Sequence, residues 1–132
     1  MAMVLLVDDD QLLLDVLKML LQAEGYDVIT ANDGPKALSL VKAVTPDLVI
    51  SDIRMSPMSG IELLRNIRRE HAALPVIMLT AYASSKTANE ASQLGAFAYL
   101  SKPFSNEEVI DTVRKAVVSG KNNGPGTGDT KT

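Results

Sequence analysis

The amino-acid sequence predicts an α/β fold in which a doubly wound parallel sheet of five strands carries helices on both faces. Short apolar runs alternate five times with longer segments of helical periodicity. Continuous apolar runs are typical of strands that are buried on both sides of a parallel sheet. Their regular alternation with helices favours parallel crossover connections. A length of 132 residues is enough for one domain and too short for two ordinary ones.

Each apolar run is followed by a segment whose pattern or capping residues predict a helix. In the first segment polar residues recur at helical spacing, and Gly25 follows as a C-terminal stop. Pro35 lies near the first turn of the second, and Ser59 and Ser105 begin capping-box patterns at the third and fifth. The fourth is short and ends at Gly95. The predicted strands are Met3–Val7, Val28–Thr30, Leu48–Ser51, Val76–Thr80 and Ala98–Leu100, and the predicted helices are Gln11–Glu24, Pro35–Val44, Ile61–Glu70, Thr87–Leu94 and Asn106–Ser119.

The predicted domain covers residues 1–119 and leaves a short C-terminal segment. Residues 120–132, with the sequence GKNNGPGTGDTKT, hold four of the eight glycines and no large apolar residue. Such a segment buries too little apolar surface to offset the entropy of ordering the chain. We therefore expect residues 120–132 to form a flexible tail or linker.

The composition excludes several classes of function. The chain has no cysteine and one histidine, which excludes disulfide scaffolds, thiol nucleophiles and zinc–thiolate sites and argues against a Ser-His triad. A net charge of −3 and a pI of about 5.1 are unfavourable for direct binding of nucleic acid. No apolar run reaches the roughly 18 residues of a membrane span, and no export signal is evident. We expect no membrane association and a cytoplasmic location.

Polar side chains follow the predicted strands at their carboxyl ends. Asp8 and Asp9 come after the first strand, Asp52 follows the third, Thr80 ends the fourth, and Lys102 follows the fifth. Ligands of open α/β sheets bind outside this edge of the sheet. Each of these residues has a simple structural explanation when it is taken alone. For example, a lone aspartate after a strand usually caps a helix or stabilises a turn. Their combination at four strand ends predicts a shared site.

The residue types at this edge indicate a particular chemistry. Carboxylates held close together repel one another unless a cation or a proton compensates them. Oxygen ligands with an open side favour Mg²⁺, which keeps several waters and takes further ligands from phosphate. Lys102 would add a second positive charge. The sequence therefore indicates phosphoryl transfer to a carboxylate, in which metal and ammonium neutralise the phosphoryl oxygens.

The same residues resemble the receiver domain of two-component response regulators over about residues 2–119. The motifs are VLLVDDD at 4–10, DIRMSPMSG at 52–60, LTAYA at 79–83 and LSKPF at 100–104. The resemblance implies a flavodoxin-like sheet with strand order 2-1-3-4-5. It also implies a phospho-accepting signalling domain, not an enzyme, which assists only its own phosphorylation and dephosphorylation. A histidine kinase or a phosphotransfer protein would be its partner.

The resemblance assigns the acceptor and the metal ligands to individual residues. Asp52 would accept the phosphoryl group and form an aspartyl phosphate. Asp9 would bind Mg²⁺ directly, and Asp8 would hold a metal-bound water. Asp52 and the backbone carbonyl of Arg54 would complete the protein ligands of the metal.

The resemblance further implies a switch. Thr80 would hydrogen-bond the phosphoryl group, Lys102 would pair with it, and Tyr99 would rotate when Thr80 moves. The Lys102–Pro103 peptide bond is expected to be cis, as is common in this family. The output surface would be formed by the fourth helix, the fifth strand and the fifth helix, which is also the expected contact of a homodimer.

One loop departs from the pattern of the family. Receivers usually have proline four residues after the acceptor, where this chain has Ser56, and proline follows one place later at Pro57. Gly60 keeps its usual spacing from the acceptor, so the loop contains no net insertion. We expect the altered loop to affect the rate of dephosphorylation. Arg54 and Tyr82 occupy variable positions beside the site and are expected to tune the same rate.

Two other classes of protein share part of the pattern. The Asp-x-Asp sequence of Asp8 and Asp10 is similar to that of haloacid-dehalogenase phosphatases, in which Asp8 would be the nucleophile. Those enzymes usually have Thr or Val where this chain has Leu12, and they carry a second acidic pair on a later strand. A flavin-binding electron carrier would share the fold but needs a loop rich in Ser, Thr and Gly after the first strand.

Two features near the first helix have simple structural interpretations. Asp10 is predicted to be the N-cap of that helix. The run Leu12–Leu14 is predicted to lie mostly in the core. The apolar arc of the helix is nevertheless wider than the roughly 100° that a core face needs, so Leu12 and Leu13 are candidates for a patch that docks the kinase.

Overall fold

The computed structural model describes residues 2–81 and 84–122, which contain five strands and five helices in alternation. The strands are β1 (Met3–Val7), β2 (Asp27–Ala31), β3 (Leu48–Asp52), β4 (Val76–Thr80) and β5 (Ala98–Ser101). The helices are α1 (Gln11–Ala23), α2 (Gly34–Val44), α3 (Gly60–Glu70), α4 (Ser85–Gln93) and α5 (Asn106–Asn122). In the described residues, no helix is both long enough and apolar enough to span a membrane.

All strand pairs of the sheet are parallel, and the strand order is β2-β1-β3-β4-β5. This confirms the predicted fold class and strand order. From β1 the chain turns first to β2 on one side and then crosses to β3 on the other. The carboxyl ends of β1 and β3 therefore flank the point at which the winding direction reverses, where open α/β sheets bind their ligands.

Alternate residues of the central strands pack into two separate apolar clusters, one on each face of the sheet. Val4 and Leu6 of β1 face α1 and α5, whereas Leu5 and Val7 face α2, α3 and α4. Every residue of β3 and β4 is buried. Complete burial of a side chain such as Leu6 is worth roughly 1.5–3 kcal/mol, so the central strands form the rigid part of the domain.

The helix N-termini are capped by the residue types that the sequence provides. The Asp10 carboxylate accepts the N–H groups of Leu12 and Leu13, at 3.1 and 3.3 Å, which confirms its role as the N-cap of α1. Ser59 and Glu62 form the predicted capping box at α3. These caps satisfy backbone donors that have no partner within the helix, and they hold the first turns of α1 and α3 beside the carboxyl edge of the sheet.

Several predicted boundaries differ from the structure. β2 is longer by one residue at each end, because its whole length pairs with β1. α4 begins at Ser85, two residues before the predicted start, since the side chain of Ser84 caps it. α5 continues to Asn122, past the predicted end at Ser119. The first residues of the predicted tail are therefore helical, and residues 123–132 lie outside the described part.

The interpretation of the Leu12–Leu14 run as core is right for one residue and wrong for another. Leu14 is buried, Leu13 packs against the cluster from its edge, and Leu12 is 73% exposed. Val16 and Met19 are also exposed, at 50% and 71%. Positions i, i+4 and i+7 share one side of a helix, so Leu12, Val16 and Met19 form an apolar strip on the outer side of α1.

Candidate functional site

Three aspartates meet at the carboxyl edge of the sheet. Asp8 and Asp9 directly follow β1, and Asp52 is the last residue of β3, the neighbouring strand. One carboxylate oxygen from each lies within 4.8 Å of those of the other two. Asp8 and Asp52 are buried, whereas Asp9 is exposed. The cluster therefore has a closed inner side and an open outer side, and solvent or a ligand reaches it past Asp9.

Lys102 directly follows β5, an edge strand of the sheet, and its side chain reaches this cluster. Its ammonium lies 3.3 Å from Oδ2 of Asp8 and 3.1 Å from Oδ1 of Asp52. Burial by itself lowers the pKa of Lys102, but the hydrogen bond to Asp52 and the charges of both carboxylates outweigh burial and raise that pKa. The two carboxylates thus favour the charged form of Lys102. Within the described part of the chain, Lys102 is shared by the carboxylates of Asp8 and Asp52.

Asp8 is held by the chain that follows it. Its Oδ1 accepts the N–H of Asp10 at 2.9 Å, and its Oδ2 accepts from Lys102. Burial raises the pKa of the Asp8 carboxyl, and the nearby charge of Asp52 adds to this rise, which exceeds the lowering by the hydrogen bonds. Burial and the charge of Asp52 thus disfavour the ionised form of the Asp8 carboxyl. A cation bound beside Asp8 would favour that ionised form.

The backbone around Asp52 is unusually close to the start of α3. The N–H of Gly60 donates to the carbonyl oxygen of Ile53 at 2.8 Å. A Cβ on Gly60 would lie only 2.1 Å from the carbonyl oxygen of Asp52, which excludes any larger residue without movement of the backbone. The Ser51 hydroxyl donates to this same carbonyl oxygen at 2.9 Å. Ser51 was not singled out from the sequence, although a serine inside an apolar run is a usable signal.

The other predicted site residues lie around this cluster at different depths. Thr80 is buried at the end of β4, and its carbonyl oxygen accepts the N–H of Lys102 at 2.7 Å. Tyr99 is half-buried on β5, and its hydroxyl lies 2.7 Å from Oγ1 of Thr87 on α4. This contact with α4 was not expected. Arg54 is exposed in the loop after β3, and Tyr82 lies outside the described residues.

Among the described residues, two peptide bonds before prolines are cis. The Lys102–Pro103 bond is cis, as the resemblance implies, and so is the Ser56–Pro57 bond. The proline shift in the loop after β3 thus accompanies a second cis bond. The loop still brings Gly60 against the carbonyl of Asp52.

An open groove of about 620 Å³ begins at Asp9 and runs between α3 and α4. It is lined by polar and charged residues that include Arg54, Ser59, Glu62, Arg65, Thr87 and Glu90. The groove provides access to the exposed side of the aspartate cluster. A buried carboxylate, a neighbouring ammonium and an open cation-binding side can together receive and stabilise a phosphoryl group.

Comparison with known proteins agrees with this geometry. A family model described as the response regulator receiver domain matches residues 4–114. The chain is 40% identical over 116 residues to the transcriptional regulatory protein GlrR of Escherichia coli K12, a match that covers 88% of this chain and 26% of GlrR. It is 42% identical over 114 residues to the transcriptional regulatory protein ZraR of the same organism, with 86% of this chain and 26% of ZraR covered. The chain therefore spans about a quarter of the length of the curated relatives that it matches.

Comparison with solved structures indicates the same family. The crystal structure of a CheY-like response regulator receiver domain from Methanospirillum hungatei is 29% identical and has a TM-score of 0.91, with 94% of this chain and 99% of that chain covered. Sequence match, strand order and the residues gathered at the carboxyl edge agree with one another. The chain belongs to the family of response regulator receiver domains.

Proposed function

We propose that this domain accepts a phosphoryl group onto Asp52 from a histidine kinase or a phosphotransfer protein, with Mg²⁺ as its cofactor. The observation that carries the proposal is the position of Asp52. It lies at the ligand-binding edge of the sheet, its Oδ1 is 3.1 Å from the ammonium of Lys102, and two further carboxylates lie within reach of a shared cation. This is the arrangement that transfer to a carboxylate needs, because the incoming group brings several negative oxygens to a site that is already anionic.

The residues present fit a magnesium ion. The ligand set contains only oxygen atoms, and the exposed side of Asp9 leaves room for waters. Asp9 and Asp52 would bind the ion directly, Asp8 would hold one of its waters, and the backbone carbonyl of Arg54 would be a further ligand. When bound, the ion supplies positive charge next to the oxygens of the transferred group. It would also offset the repulsion among the three carboxylates.

The transfer follows from the groups around Asp52. A carboxylate oxygen of Asp52 attacks the phosphorus, while the phosphorus–nitrogen bond of the donor phosphohistidine breaks and its electron pair stays on the imidazole nitrogen. Lys102 pairs with the phosphoryl group, and the hydroxyl of Thr80 donates to one of its oxygens. The proposed product is an aspartyl phosphate.

The signal would leave the site through Thr80 and Tyr99. Movement of Thr80 toward the phosphoryl group opens space beside β5, and Tyr99 turns into it. This rotation requires loss of the contact between Tyr99 and Thr87, so the change reaches α4 directly. The affected surface is formed by α4, β5 and α5, and we assign output contacts and a possible phosphorylation-dependent homodimer to it. On this proposal the domain is a signalling module of a phosphorelay in the cytoplasm and not an enzyme with an external substrate.

The donor protein would dock on α1. The first turn of α1 follows the aspartates directly, and the strip of Leu12, Val16 and Met19 runs away from the site along the outer side of the helix. A phosphohistidine that reaches Asp52 must bring the surface around it close to this flank. Packing against exposed apolar side chains would hold it there, whereas the acidic net charge of the chain disfavours nucleic acid as the partner of this surface.

Arg54 and Tyr82 are proposed to tune the lifetime of the phosphoryl group, together with the Ser56–Pro57 loop. Arg54 lines the groove that begins at Asp9. Side chains at the mouth of the groove control the access of the water that hydrolyses the aspartyl phosphate. Replacement of Arg54 by Ala is expected to change the rate of dephosphorylation, measured from the decay of labelled protein, without removal of phosphorylation itself.

The test of the acceptor is phosphorylation by a small donor. Incubation with acetyl phosphate and Mg²⁺ is expected to add one phosphate, measured by intact mass. Asp52→Asn is expected to remove the labelling, and Asp10→Asn is the matched control. Asn caps helices as well as Asp does, so this control removes a neighbouring carboxylate without loss of the helix cap. Equal labelling of Asp52→Asn and the parent would show that the acceptor is another residue.

The haloacid-dehalogenase alternative makes Asp8 the nucleophile. Both oxygens of Asp8 are already engaged, one by the N–H of Asp10 and one by Lys102, whereas the contact of Lys102 with Asp52 involves only Oδ1. These contacts favour Asp52 instead. Steady release of phosphate from p-nitrophenyl phosphate would support the alternative, whereas we expect no turnover beyond the label on the domain itself.

A further inference from the structure

Arg68, on the last turn of α3, hydrogen-bonds to four backbone carbonyls in two other segments of the chain. Its Nε donates to the carbonyl of Leu94 at 3.0 Å, and one terminal nitrogen donates to the carbonyl of Gly95 at 2.9 Å. Its other terminal nitrogen donates to the carbonyls of Leu74 and His71, at 2.6 and 3.1 Å. The hydrogen bonds of this one guanidinium therefore connect the end of α3 with the loop before β4 and with the end of α4.

The two ends of α4 are held by different kinds of contact. Leu94 is the C-cap of α4, so two charge-assisted hydrogen bonds from Arg68 meet the negative end of the helix dipole. Gly95 has a φ of +80°, which places this turn in a conformation that other residues rarely adopt. At the other end, in the residues that the structure describes, a hydrogen bond between the neutral hydroxyls of Thr87 and Tyr99 connects α4 to β5. Neutral hydrogen bonds contribute about half as much as charged ones.

Arg68 itself is fixed to the rigid part of the domain. Leu63, Leu64 and Ile67 of α3 are buried in the cluster under this face of the sheet. By contrast, Ala91 is the single buried residue of α4. α4 thus has little apolar anchorage of its own, and its attachment depends on the contacts at its two ends.

We propose that Arg68 is the pivot of α4: it holds the C-terminal end of the helix in place while the N-terminal turn moves when Tyr99 reorients. This inference rests on the proposed function, because the phosphoryl group provides the trigger. It specifies which end of α4 moves when the switch operates. The change at the output surface is largest at the first turn of α4, around Thr87, and smallest at Leu94 and Gly95.

The first experiment is hydrogen exchange on the chain in its unphosphorylated form. The N–H groups of Leu94, Gly95 and Ala96 donate to carbonyls within the end of α4, so their exchange reports whether this end stays closed. Arg68→Met is expected to accelerate their exchange at least about tenfold, because local opening then has a lower free energy. Arg69→Met removes the same charge from the adjacent, exposed position, and this control is expected to change the exchange less than about twofold. Equal acceleration by both variants would contradict the assignment.

The second experiment measures the direction of the switch by NMR. Beryllofluoride with Mg²⁺, a mimic of the phosphoryl group, is expected to shift the amide signals of Ser85–Ala88 much more than those of Gln93–Gly95. Arg68→Met is expected to extend the shifts to the C-terminal end, and Arg68→Lys, which keeps the charge but loses the planar fork, is expected to lie between the two. Equal shifts at both ends of α4 in the parent would overturn the pivot. Absence of any shift at Asp8–Asp10 and Thr80 would instead contradict the proposed function.

Discussion

The edge that holds Asp52 and the region formed by α4 and β5 differ sharply in how firmly they are packed. Every residue of β3 and β4 is buried, and α3 buries five residues. β5 has no fully buried residue, and α4 buries only Ala91. A region that opens at low free energy has few buried apolar contacts. Asp52, the proposed acceptor, therefore sits on a rigid scaffold, and the region to which we assign output is the one that can rearrange at low cost.

The largest expected effect comes from the same truncation in the two regions. Leu6 of β1 and Leu100 of β5 contribute to the same apolar cluster, but Leu6 is 1% exposed and Leu100 is only partly buried. Leu6→Ala is expected to lower the free energy of unfolding by about 3 kcal/mol, and Leu100→Ala by about 1 kcal/mol, because the cost of a core truncation grows with the cavity left behind. Urea unfolding measures both. Equal losses would show that β5 is as firmly packed as β1.

A second prediction concerns the contact between α3 and Asp52, the proposed acceptor. Gly60→Ala is expected to lower the free energy of unfolding by about 2–3 kcal/mol, since the added Cβ meets backbone that cannot yield. It should also slow labelling by acetyl phosphate, because the displaced atoms include the carbonyl of Asp52.

Gly25→Ala is the control for this change. Gly25 has a φ of +94° and nothing within 4 Å of an added Cβ. The variant is therefore expected to lower the free energy of unfolding only through its left-handed backbone, by about 1–2 kcal/mol. It lies far from the acceptor in the sequence and should label at the parent rate. If Gly60→Ala also labels at the parent rate, the close contact of α3 does not position Asp52.

The third prediction tests whether the aspartates form one cation site. Asp9 is exposed, so its repulsion with the other carboxylates is screened to about 1 kcal/mol at 4 Å in water. In the presence of a chelator, Asp9→Asn is expected to melt higher than the parent by an amount of this order. Addition of Mg²⁺ should stabilise the parent by its binding free energy and leave Asp9→Asn almost unchanged. Asp10→Asn is expected to keep the response of the parent to Mg²⁺, and a parent that does not respond would contradict the magnesium site.

The smallest expected effect compares two helix caps of the same chemistry. Ser59 caps α3 and Ser84 caps α4, each through a side-chain oxygen that accepts a backbone N–H. Ser59→Ala is expected to lower the free energy of global unfolding by about 1 kcal/mol. Ser84→Ala should change it by less than about 0.5 kcal/mol and should instead speed exchange of the α4 amides, because a weakly anchored helix opens locally. A global loss equal to that of Ser59→Ala would mean that α4 unfolds only with the whole domain.

The sequence by itself determined the strands, the helices and the edge at which the site lies. Short, almost continuously apolar runs are typical of strands between two layers of helices, so five of them in alternation with helical segments predict a parallel sheet. The carboxyl ends of parallel strands lie together, and therefore the sequence predicts Asp8, Asp9 and Asp52 at one edge. The resemblance to the receiver family then added the strand order and the expected roles of individual residues.

Only the tertiary structure decided which of two possible environments a side chain occupies. Leu12 and Leu14 have the same chemistry and nearly the same position in the sequence, and their different burial depends on where α1 lies against the sheet. The contacts of Lys102 with two aspartates, of Tyr99 with Thr87 and of Arg68 with the end of α4 join residues that are 12 to 94 positions apart. Local periodicity carries no information about such pairs. They form because packing brings separate elements to one place, where each buried donor must find an acceptor.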